Sequence, residues 1–419
     1  MTNRLAEVYA LGQSPWCDNV ARDQIRAGTY ERMIEQDAIV GVTSNPSIFQ
    51  KAMTAGSAYD EQFRDLAAQG LDAMSIYQLM ANQDIRDVLA LFRPIYDQTQ
   101  GRDGYVSLEV SPLLAHETEK TIAEAKELWT HLNQPNLFVK IPAVAEGLAA
   151  IEACIAEGIN VNVTLIFSLE AYERVILAYL GGLEKLAARG TKPLSQVASV
   201  ASFFVSRVDT LVDRLLDEKV AATGDAGQKH HLQGLKGKAA IANAKLAYQL
   251  YKSYFVEGPN AERFKALQVQ GAQVQRPLWA STGAKNPAYH DVMYVEELIG
   301  PNTVNTMPPA TIAAFQEHGT AASTVEQGVA AARQTMHDLD AVGISITQVT
   351  DTLEQEGVAT FKTAFEDVLH SLDDKRRALA REQAAQGDGA AAHAATSDGH
   401  SAGVAGANRT QTDEEPAQR

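Results

Sequence analysis

Lys140 is the residue of this sequence whose type and setting most clearly indicate chemistry. It is the single charged residue in the apolar run Leu137-Phe138-Val139-Lys140-Ile141-Pro142. Burial of an ammonium group is costly unless the group is paired or gives up its proton. A buried lysine that becomes a neutral amine can condense with a ketone or aldehyde to form a Schiff base. The alternative interpretation is a lysine at the end of a strand that extends its ammonium group to water or pairs with a carboxylate.

Lys140 is one of several polar residues that recur with a period of two inside apolar runs. Side chains of a β-strand alternate between its faces, so residues two apart share one face. The polar positions are Ser107 and Glu109 in residues 105–110, Lys140 in residues 137–142, and Asn160, Asn162 and Thr164 in residues 159–165. A strand covered by helices on both faces is normally apolar throughout. Polar faces on three successive strands therefore indicate a shared polar interior, as in a barrel.

The rest of the sequence alternates candidate strands with amphipathic helices, which is typical of a parallel α/β fold. The candidate strands cover residues 13–18, 38–44, 104–110, 136–142, 159–165, 197–205, 275–281 and 302–307. Apolar residues between them follow helical spacing, as at Val208, Leu211, Val212, Leu215 and Leu216. Eight strands are the number of a TIM-type (β/α)8 barrel, and 419 residues leave room for one with insertions. We therefore predict a single TIM-type α/β barrel.

Two connections are too long for one helix each. Residues 46–103 and 206–274 must hold extra helices if the eight strands are assigned correctly. A last helix is predicted at residues 350–382, where apolar residues that include Phe361 and Phe365 can cover the barrel.

The composition changes from Ala384 onward, where Ala, Gly, Gln, Ser and Asp dominate. Such a segment buries too little apolar surface to offset the entropy of ordering its backbone. We therefore predict a barrel domain with helical insertions over residues 1–383 and a disordered tail over residues 384–419.

Charge and cysteine content exclude several classes of protein. A formal charge of −16 at pH 7 argues against a nucleic-acid-binding surface. Cys17 and Cys154 form no disulfide framework and lack the paired spacing of a structural zinc site. Residues 1–10 lack the apolar region of a signal peptide, and the sequence has no run of 18 apolar residues. We expect a cytoplasmic protein that neither enters membranes nor binds nucleic acid.

In a barrel of this type the chemistry lies at the C-terminal ends of the strands. The polar and aromatic residues predicted there are Asp18, Asn45, Glu109, Lys140, Asn162, Thr164, Ser202 and Phe204. A simpler interpretation makes each carboxylate a helix N-cap or a salt-bridge partner of Lys140. Asn45 before Pro46 also fits a turn with the proline at the first helical position. A lysine surrounded by two carboxylates, two amides and two hydroxyls is hard to explain by packing alone, and it indicates an active site.

The motifs that carry these residues resemble those of transaldolases, in particular the longer bacterial branch of that family. The resembling segments are residues 13–19 (QSPWCDN), 41–49 (GVTSNPSIF), 106–111 (VSLEVS), 138–143 (FVKIPA), 158–168 (GINVNVTLIFS) and 201–207 (ASFFVSR). The resemblance extends from about residue 5 to about residue 375. Together the motifs are specific, whereas an Asn-Pro pair or a strand lysine alone would mean little.

The resemblance implies a transfer reaction of the pentose phosphate pathway. A dihydroxyacetone unit would pass from sedoheptulose 7-phosphate or fructose 6-phosphate to an aldose phosphate, either glyceraldehyde 3-phosphate or erythrose 4-phosphate. By that likeness Lys140 forms the Schiff base, and Asp18 takes the proton of the C4 hydroxyl as the carbon–carbon bond breaks. Glu109 and Thr164 would hold a water that relays protons. Asn45 and Asn162 would bind the three-carbon unit, in a site that Ser202 and Phe204 complete.

The resemblance also implies a phosphate site. Arg207 after strand six and Ser281 after strand seven match the family by position, and Lys285 is the nearest basic residue after Ser281. Shorter members of the family place an arginine closer to the serine, so a solvated loop lysine is the alternative interpretation of Lys285. A lysine binds phosphate as a point charge, with less bidentate geometry than arginine.

Two other functions were weighed against the transferase. Related fructose 6-phosphate aldolases, which release free dihydroxyacetone, tend to carry Gln at the position of Glu109 and Tyr at the position of Phe204. A non-catalytic phosphosugar-binding barrel would be expected to lose Lys140 or its acid partner. None of the ten histidines falls within a predicted strand, so no catalytic metal is expected. We predict an enzyme without a cofactor that acts on sugar phosphates as a monomer or homodimer.

Overall fold

Eight parallel strands close into a barrel in the computed structural model of the chain, which describes the backbone of residues 3–397 and the side chains of residues 3–381. The strands are β1 (Gln13–Asp18), β2 (Gly41–Thr43), β3 (Tyr105–Glu109), β4 (Leu137–Pro142), β5 (Val161–Ile166), β6 (Ser199–Phe204), β7 (Gln275–Ala280) and β8 (Thr303–Met307). Each strand pairs with the next along the chain, and β8 pairs with β1. The predicted TIM-type α/β barrel is confirmed.

The register of the strands brings the polar positions to one level of the barrel. Asp18 is paired with Thr43, Glu109 with Lys140, and Lys140 with Asn162. Paired residues of neighbouring parallel strands point to the same side of the sheet. The period-two polar pattern therefore faces the barrel interior, at the end where the strands finish.

Below this polar level the interior is filled by aromatic rings. Tyr105 and Phe138 stack with their ring centroids 4.2 Å apart, and Trp16 lies 6.1 Å from Phe138 and 6.4 Å from Tyr105. Gly41 has no side chain in this layer, where a Cβ atom would lie 2.4 Å from the indole ring of Trp16. The layer closes the interior beneath the polar residues, so the barrel is a packed core and not a pore.

The α-helices surround the barrel and account for both long connections. They are α1 (Arg4–Ala10), α2 (Arg22–Arg26), α3 (Thr29–Asp37), α4 (Pro46–Thr54), α5 (Asp60–Ala68), α6 (Ala73–Gln98), α7 (Thr118–Leu132), α8 (Ala145–Ala156), α9 (Leu169–Arg189), α10 (Ser206–Ala222), α11 (Ala226–Leu235), α12 (Ala239–Phe255), α13 (Ala261–Gln268), α14 (Met293–Glu296), α15 (Pro309–His318), α16 (Val329–Ala341) and α17 (Ile346–Ser397). Short 3₁₀ turns cover Pro112–Leu114 and Leu194–Gln196. Among these described helices, none is long and apolar enough to cross a membrane.

A buried polar network ties the first insertion to the loop after β1. The guanidinium of Arg22 donates to Asp84 Oδ1 at 2.7 Å and to the Met80 carbonyl at 3.0 Å, both on α6. Tyr59 donates to the other carboxylate oxygen of Asp84 at 2.7 Å, and the Arg22 guanidinium carbon lies 4.3 Å from the centre of its ring. These contacts hold one wall of the cleft that is described below.

Helix α17 lies across the C-terminal end of the barrel, where it packs on α4, α6, α10 and β5. Its apolar face buries Phe361, Phe365 and Val368. At Gly357 a Cβ atom would lie 3.0 Å from Leu165 Cδ2 of β5, so the absence of a side chain allows a close approach there. The C-terminal helix thus covers the barrel as predicted.

This helix is longer than the predicted residues 350–382, because its backbone remains helical to Ser397. Half of residues 384–397 are alanine, which has the highest helix propensity and needs no tertiary packing to favour a helix locally. Residues 398–419 of the predicted tail lie outside the described residues. The division of the chain at residue 383 stays a prediction.

Candidate active site

Lys140 is buried at the centre of the polar end of the barrel. Strand β4 points it inward, where its side chain is 6% exposed. Its Nζ atom donates to Glu109 Oε2 at 2.8 Å and to the Ser44 carbonyl at 3.3 Å, and it lies 5.3 Å from the centre of the Phe361 ring. The ion pair that the simpler interpretation predicts is therefore present. Because Lys140 also lines the main cleft, its amine can meet a bound ligand as well.

Glu109 lies behind Lys140 and not in the lining of the main cleft. It faces a smaller cavity that Asn45, Phe49 and Tyr77 also line. Burial raises the pKa of the Glu109 carboxyl, and the neighbouring ammonium of Lys140 opposes that rise. A carboxylate that holds a proton more readily at hydrogen-bond distance from an amine is suited to proton exchange with it.

Asp18 ends β1 and lines the cleft, and two threonines fix its position. Thr43 Oγ1 donates to Asp18 Oδ1 at 2.6 Å, and the hydroxyls of Thr43 and Thr306 lie 2.6 Å apart. Burial raises the pKa of Asp18; the Thr43 hydrogen bond and the charges of Lys140, Lys285 and Arg207 oppose that rise. The helix N-cap that the simpler interpretation offers is not its role here, since Asp18 accepts from a side chain.

Thr164 and Ser202 line the cleft, while Asn162 lies beneath them. Thr164 Oγ1 is buried without a hydrogen-bond partner among the described residues. Asn162 is fully buried; its Nδ2 donates to Ser107 Oγ at 3.0 Å and its Oδ1 accepts from Ser202 Oγ at 2.7 Å. In this arrangement Asn162 supports Ser202, and a direct contact from Asn162 to substrate stays a prediction.

Asn45 caps helix α4 and also lines the cleft. Its Oδ1 accepts from the backbone N–H of Ile48 at 3.1 Å, so it caps α4, and Pro46 occupies the first helical position. The residue also lines the cleft. A cap holds the side chain in one rotamer at the rim of the site, which is compatible with a binding role.

Three residues that line the cleft, Arg207, Ser281 and Lys285, could bind an anion. Arg207 lies in the first turn of α10, Ser281 directly follows β7, and Lys285 lies in the loop after it. The Oγ atoms of Ser281 and Ser206 are 2.9 Å apart, and the Ser206 N–H donates to the Ser281 carbonyl at 3.0 Å. The structure thus brings the three predicted phosphate ligands to one wall, although Lys285 is also exposed to solvent.

The loop that carries Lys285 is held by two carboxylates of α10. Asp209 accepts from the Tyr294 hydroxyl at 2.8 Å and from the Ala240 N–H at 2.8 Å. Asp213 accepts from the Tyr289 hydroxyl, and from the Gly237 N–H at 3.0 Å. Burial raises the pKa of Asp209 to about 6. The second insertion therefore positions the loop after β7, to which Lys285 belongs.

The cleft has a volume of about 590 Å³ and opens at the C-terminal end of the barrel. Nine of the eleven predicted site residues line it: Asp18, Asn45, Lys140, Thr164, Ser202, Phe204, Arg207, Ser281 and Lys285. Phe204 packs 5.1 Å from Phe167, and the Arg207 guanidinium carbon lies 5.3 Å from the centre of the Phe204 ring. One cleft thus holds the amine of Lys140, the carboxylate of Asp18 and the cations of Arg207 and Lys285, with the carboxylate of Glu109 behind the amine.

The lining also contains residues that sequence reasoning missed as members of the site, among them Thr43, Lys51, Thr306 and Phe361. Thr43 could have been found, because it lies two residues before Asn45 at the end of the second predicted strand. Thr306 could have been found by the same argument, because it lies one residue before the end of β8. For Phe361 the sequence indicated only a helix that covers the barrel.

Comparisons with known proteins extend over most of the chain. A family model described as Transaldolase/Fructose-6-phosphate aldolase matches residues 15–372. A protein named Transaldolase from Trichodesmium erythraeum is 45% identical over 381 residues, which are 90% of this chain and 99% of that protein. The Transaldolase of Mycobacterium tuberculosis H37Rv is 48% identical over 366 residues, or 87% and 95% of the two chains. Transaldolase 2 of Streptomyces coelicolor is 46% identical over 381 residues, or 91% and 99%.

Proposed function

This chain belongs to the transaldolase/fructose-6-phosphate aldolase family, and we propose that it transfers a dihydroxyacetone unit from sedoheptulose 7-phosphate to glyceraldehyde 3-phosphate through a Schiff base on Lys140. The products are erythrose 4-phosphate and fructose 6-phosphate, and the reaction belongs to the pentose phosphate pathway. The observation that carries the proposal is the amine of Lys140 in the lining of the cleft, 2.8 Å from the Glu109 carboxylate and in the same cleft as the carboxylate of Asp18.

Formation of the Schiff base needs a neutral amine and then the loss of water. Glu109 lies close enough to take the proton of the Lys140 ammonium directly. The neutral amine adds to the C2 ketone of the donor, and the resulting carbinolamine loses its hydroxyl as water when an acid supplies a proton. Glu109 and Thr164 are the groups we assign to that proton transfer, through a water between them.

Cleavage of the carbon–carbon bond needs a base at the C4 hydroxyl and an electron sink at C2. Asp18 accepts the hydroxyl proton, the C3–C4 bond breaks, and its electron pair moves into the iminium to give an enamine. The aldose phosphate formed from C4 onward leaves. The enamine then adds to the incoming aldehyde as Asp18 returns the proton, and hydrolysis of the new iminium releases the product ketose. The raised pKa of Asp18 suits a group that must both accept and return a proton.

Binding of the phosphate is assigned to the part of the cleft that Arg207, Ser281 and Lys285 line. Arg207 and Lys285 supply positive charge, and Ser281 supplies a hydroxyl. Since α10 begins at Ser206, the N-terminal end of its dipole adds to the attraction of an anion at this part of the cleft. Charge-assisted contacts of this kind hold a substrate in register for the reacting atoms without touching them.

We place this activity in the cytoplasm and expect a monomer or a homodimer. Both cysteines are buried and free, which agrees with a reducing compartment. The relatives reported above are named Transaldolase or Transaldolase 2, and this chain has Glu109 and Phe204 where the resemblance gives the aldolases Gln and Tyr. Transfer is therefore preferred over release of free dihydroxyacetone.

Borohydride reduction in the presence of fructose 6-phosphate tests nucleophile and substrate together. We expect a three-carbon adduct on Lys140, located by peptide mapping, and no adduct in Lys140→Ala. The matched control is Asp18→Ala, in which the amine and its partner Glu109 remain. That variant should still be trapped but should fail to release glyceraldehyde 3-phosphate. A loss of about 10² to 10⁴ in rate is the usual scale for removal of such an acid–base group. An adduct on another lysine would overturn the assignment.

A further inference from the structure

A cluster of imidazole and carboxylate groups lies on the surface between the loop after β7 and the end of α15. His290 and Asp291 precede α14, and His318 is the last residue of α15. One ligand atom from each of these three residues lies within 4.8 Å of those of the other two. None of the three lines the catalytic cleft. The cluster is therefore separate from the site that the proposed function uses.

The three side chains converge on one carboxylate oxygen. Asp291 Oδ1 lies 2.8 Å from His318 Nε2 and 3.7 Å from His290 Nδ1. The two imidazole rings are 5.5 Å apart, centre to centre. Two nitrogen atoms and one oxygen atom thus face a common point.

Glu296 fixes which nitrogen of His290 faces that point. Its Oε2 atom lies 3.3 Å from His290 Nε2, and its Oε1 atom accepts from the Thr320 N–H at 2.8 Å. The backbone contact anchors the carboxylate beside Nε2 of His290, which leaves Nδ1 as the ring nitrogen that lies 3.7 Å from Asp291 Oδ1. Metal-binding histidines almost always donate their other ring N–H to a carboxylate or carbonyl in this way.

We propose that His290, Asp291 and His318 bind a divalent transition-metal ion of the zinc class, with Glu296 as the residue that orients His290. Zn²⁺ binds histidine nitrogen at about 2.0–2.1 Å and carboxylate oxygen at about 2.0–2.2 Å, which places tetrahedral ligand atoms about 3.4 Å apart. The 3.7 Å separation is close to that spacing, the 2.8 Å separation is a hydrogen bond that the ion would replace, and all three ligand atoms lie within 4.8 Å of one another. The fourth position is open to solvent, because all three ligands are exposed.

Such an ion would link two segments that are distant in sequence. The loop after β7 also carries Lys285, and α15 begins at Pro309 in the lining of the cleft. The ion has no part in the chemistry proposed for Lys140. Its effect is stabilisation of the folded chain, since a ligand that binds only the native state raises the free energy of unfolding in proportion to the logarithm of its concentration.

Zinc titration of the full chain by isothermal calorimetry, after removal of metal with a chelator, tests the site. We expect one tightly bound equivalent of Zn²⁺ and a rise in melting temperature with zinc concentration. Both should be lost in His290→Ala and in His318→Ala. Glu296→Gln should weaken binding by about tenfold to a hundredfold, the usual effect of removing an orienting group.

The matched control is His337→Ala. His337 is a surface histidine whose Nδ1 lies 3.7 Å from the Asp338 carboxylate. Among the described residues, this pair belongs to no group of three or more potential metal ligands. This variant should keep both the bound equivalent and the rise in melting temperature. Absence of a stoichiometric equivalent in the unaltered chain, or its survival in His290→Ala and His318→Ala, would overturn the proposal. Transferase activity in the chelated protein is a separate readout, so failure here would leave the function of the cleft untouched.

Discussion

Asp18 depends on Thr43 for its protonation state. The hydroxyl of Thr43 is buried, donates to Asp18 at 2.6 Å, and is itself in contact with Thr306 at 2.6 Å. A donor to a carboxylate stabilises the ionised form and lowers its pKa, whereas burial raises it. At this site burial is the larger influence, so the pKa of Asp18 is above its usual value of 3.8.

Thr43→Val should therefore shift the acid limb of the pH–rate profile to higher pH. Asp18 acts as a base only when ionised, so activity falls as the pH drops through its pKa. Removal of the Thr43 donor raises that pKa further and moves the fall toward neutral pH. The measurement is kcat/KM for fructose 6-phosphate across acidic and neutral pH. Thr43→Ser keeps a hydroxyl and should keep the original profile; an unshifted limb in Thr43→Val would show that another group titrates there.

The proposed phosphate ligands Arg207, Ser281 and Lys285 lead to a second prediction about single residues. Contacts with a remote phosphate stabilise the ground and transition states alike, so their loss raises KM more than it lowers kcat. Arg207→Ala and Lys285→Ala should each lower kcat/KM for fructose 6-phosphate by about tenfold to a hundredfold, as expected for a charge-assisted contact. Unphosphorylated fructose is the control substrate and should be little affected. Equal losses on both substrates would show that the residue supports the fold or the chemistry. An unchanged kcat/KM in Lys285→Ala would show that Lys285 is a solvated loop lysine.

At the scale of elements, α17 completes the site from outside the barrel. Its residue Phe361 is buried, lines the cleft and lies 5.3 Å from the Lys140 amine. An aromatic ring in that position keeps water from the amine and packs against the rest of the core. The long helix thus contributes to the environment of Lys140, although no polar group of α17 contacts its amine among the described residues.

Phe361→Ala should affect both stability and catalysis. Removal of a buried aromatic side chain usually costs about 3 to 5 kcal/mol of unfolding free energy, and here it also opens the cleft around Lys140 to water. We expect slower borohydride trapping and lower kcat/KM, measured beside urea denaturation. Leu372→Ala is the matched control, because Leu372 is buried on the same helix and does not line the cleft. It should lose stability but keep its kinetics; equal kinetic losses in both variants would mean that Phe361 acts only through the fold.

At the scale of the whole molecule, the two ends of the barrel have different tasks. Below the aromatic layer, the guanidinium of Arg276 donates to Asp103 Oδ1 at 3.0 Å and to the carbonyls of Arg102 at 2.9 Å and Thr303 at 2.8 Å. Asp103 is fully buried. In TIM barrels, chemistry lies at the C-terminal face and stability depends on the opposite face.

Asp103→Ala should separate these two tasks. It leaves the buried guanidinium of Arg276 without its charged partner, and removal of one partner from a buried ion pair usually costs about 3 to 5 kcal/mol. Urea denaturation should show this loss, while kcat/KM of the folded enzyme should stay within about twofold of the original value. Asp103→Asn keeps an acceptor and should be less destabilised. A large kinetic defect under folding conditions would show that the two ends of the barrel are coupled.

The sequence by itself determined that the chain forms a barrel and which polar residues lie at the C-terminal ends of its strands. Strand positions follow from the period-two alternation of Ser107, Glu109, Asn160, Asn162 and Thr164, which is a local pattern that needs no knowledge of neighbouring strands. The same pattern predicts which side chains face inward. Because parallel strands of a barrel end on one face, the polar residues at their ends could be grouped into one site before any contact was known.

Only the tertiary structure decided which of these residues touch. The pairing of Lys140 with Glu109, the place of Asn162 beneath the cleft, and the contact between Thr43 and Thr306 depend on the register between strands and on closure of β8 against β1. The approach of Phe361 to Lys140 joins residues that are 221 positions apart in the chain. Local periodicity sets the direction of a side chain from its own strand or helix, whereas a contact of this kind is set by packing between elements whose separation in sequence carries no signal.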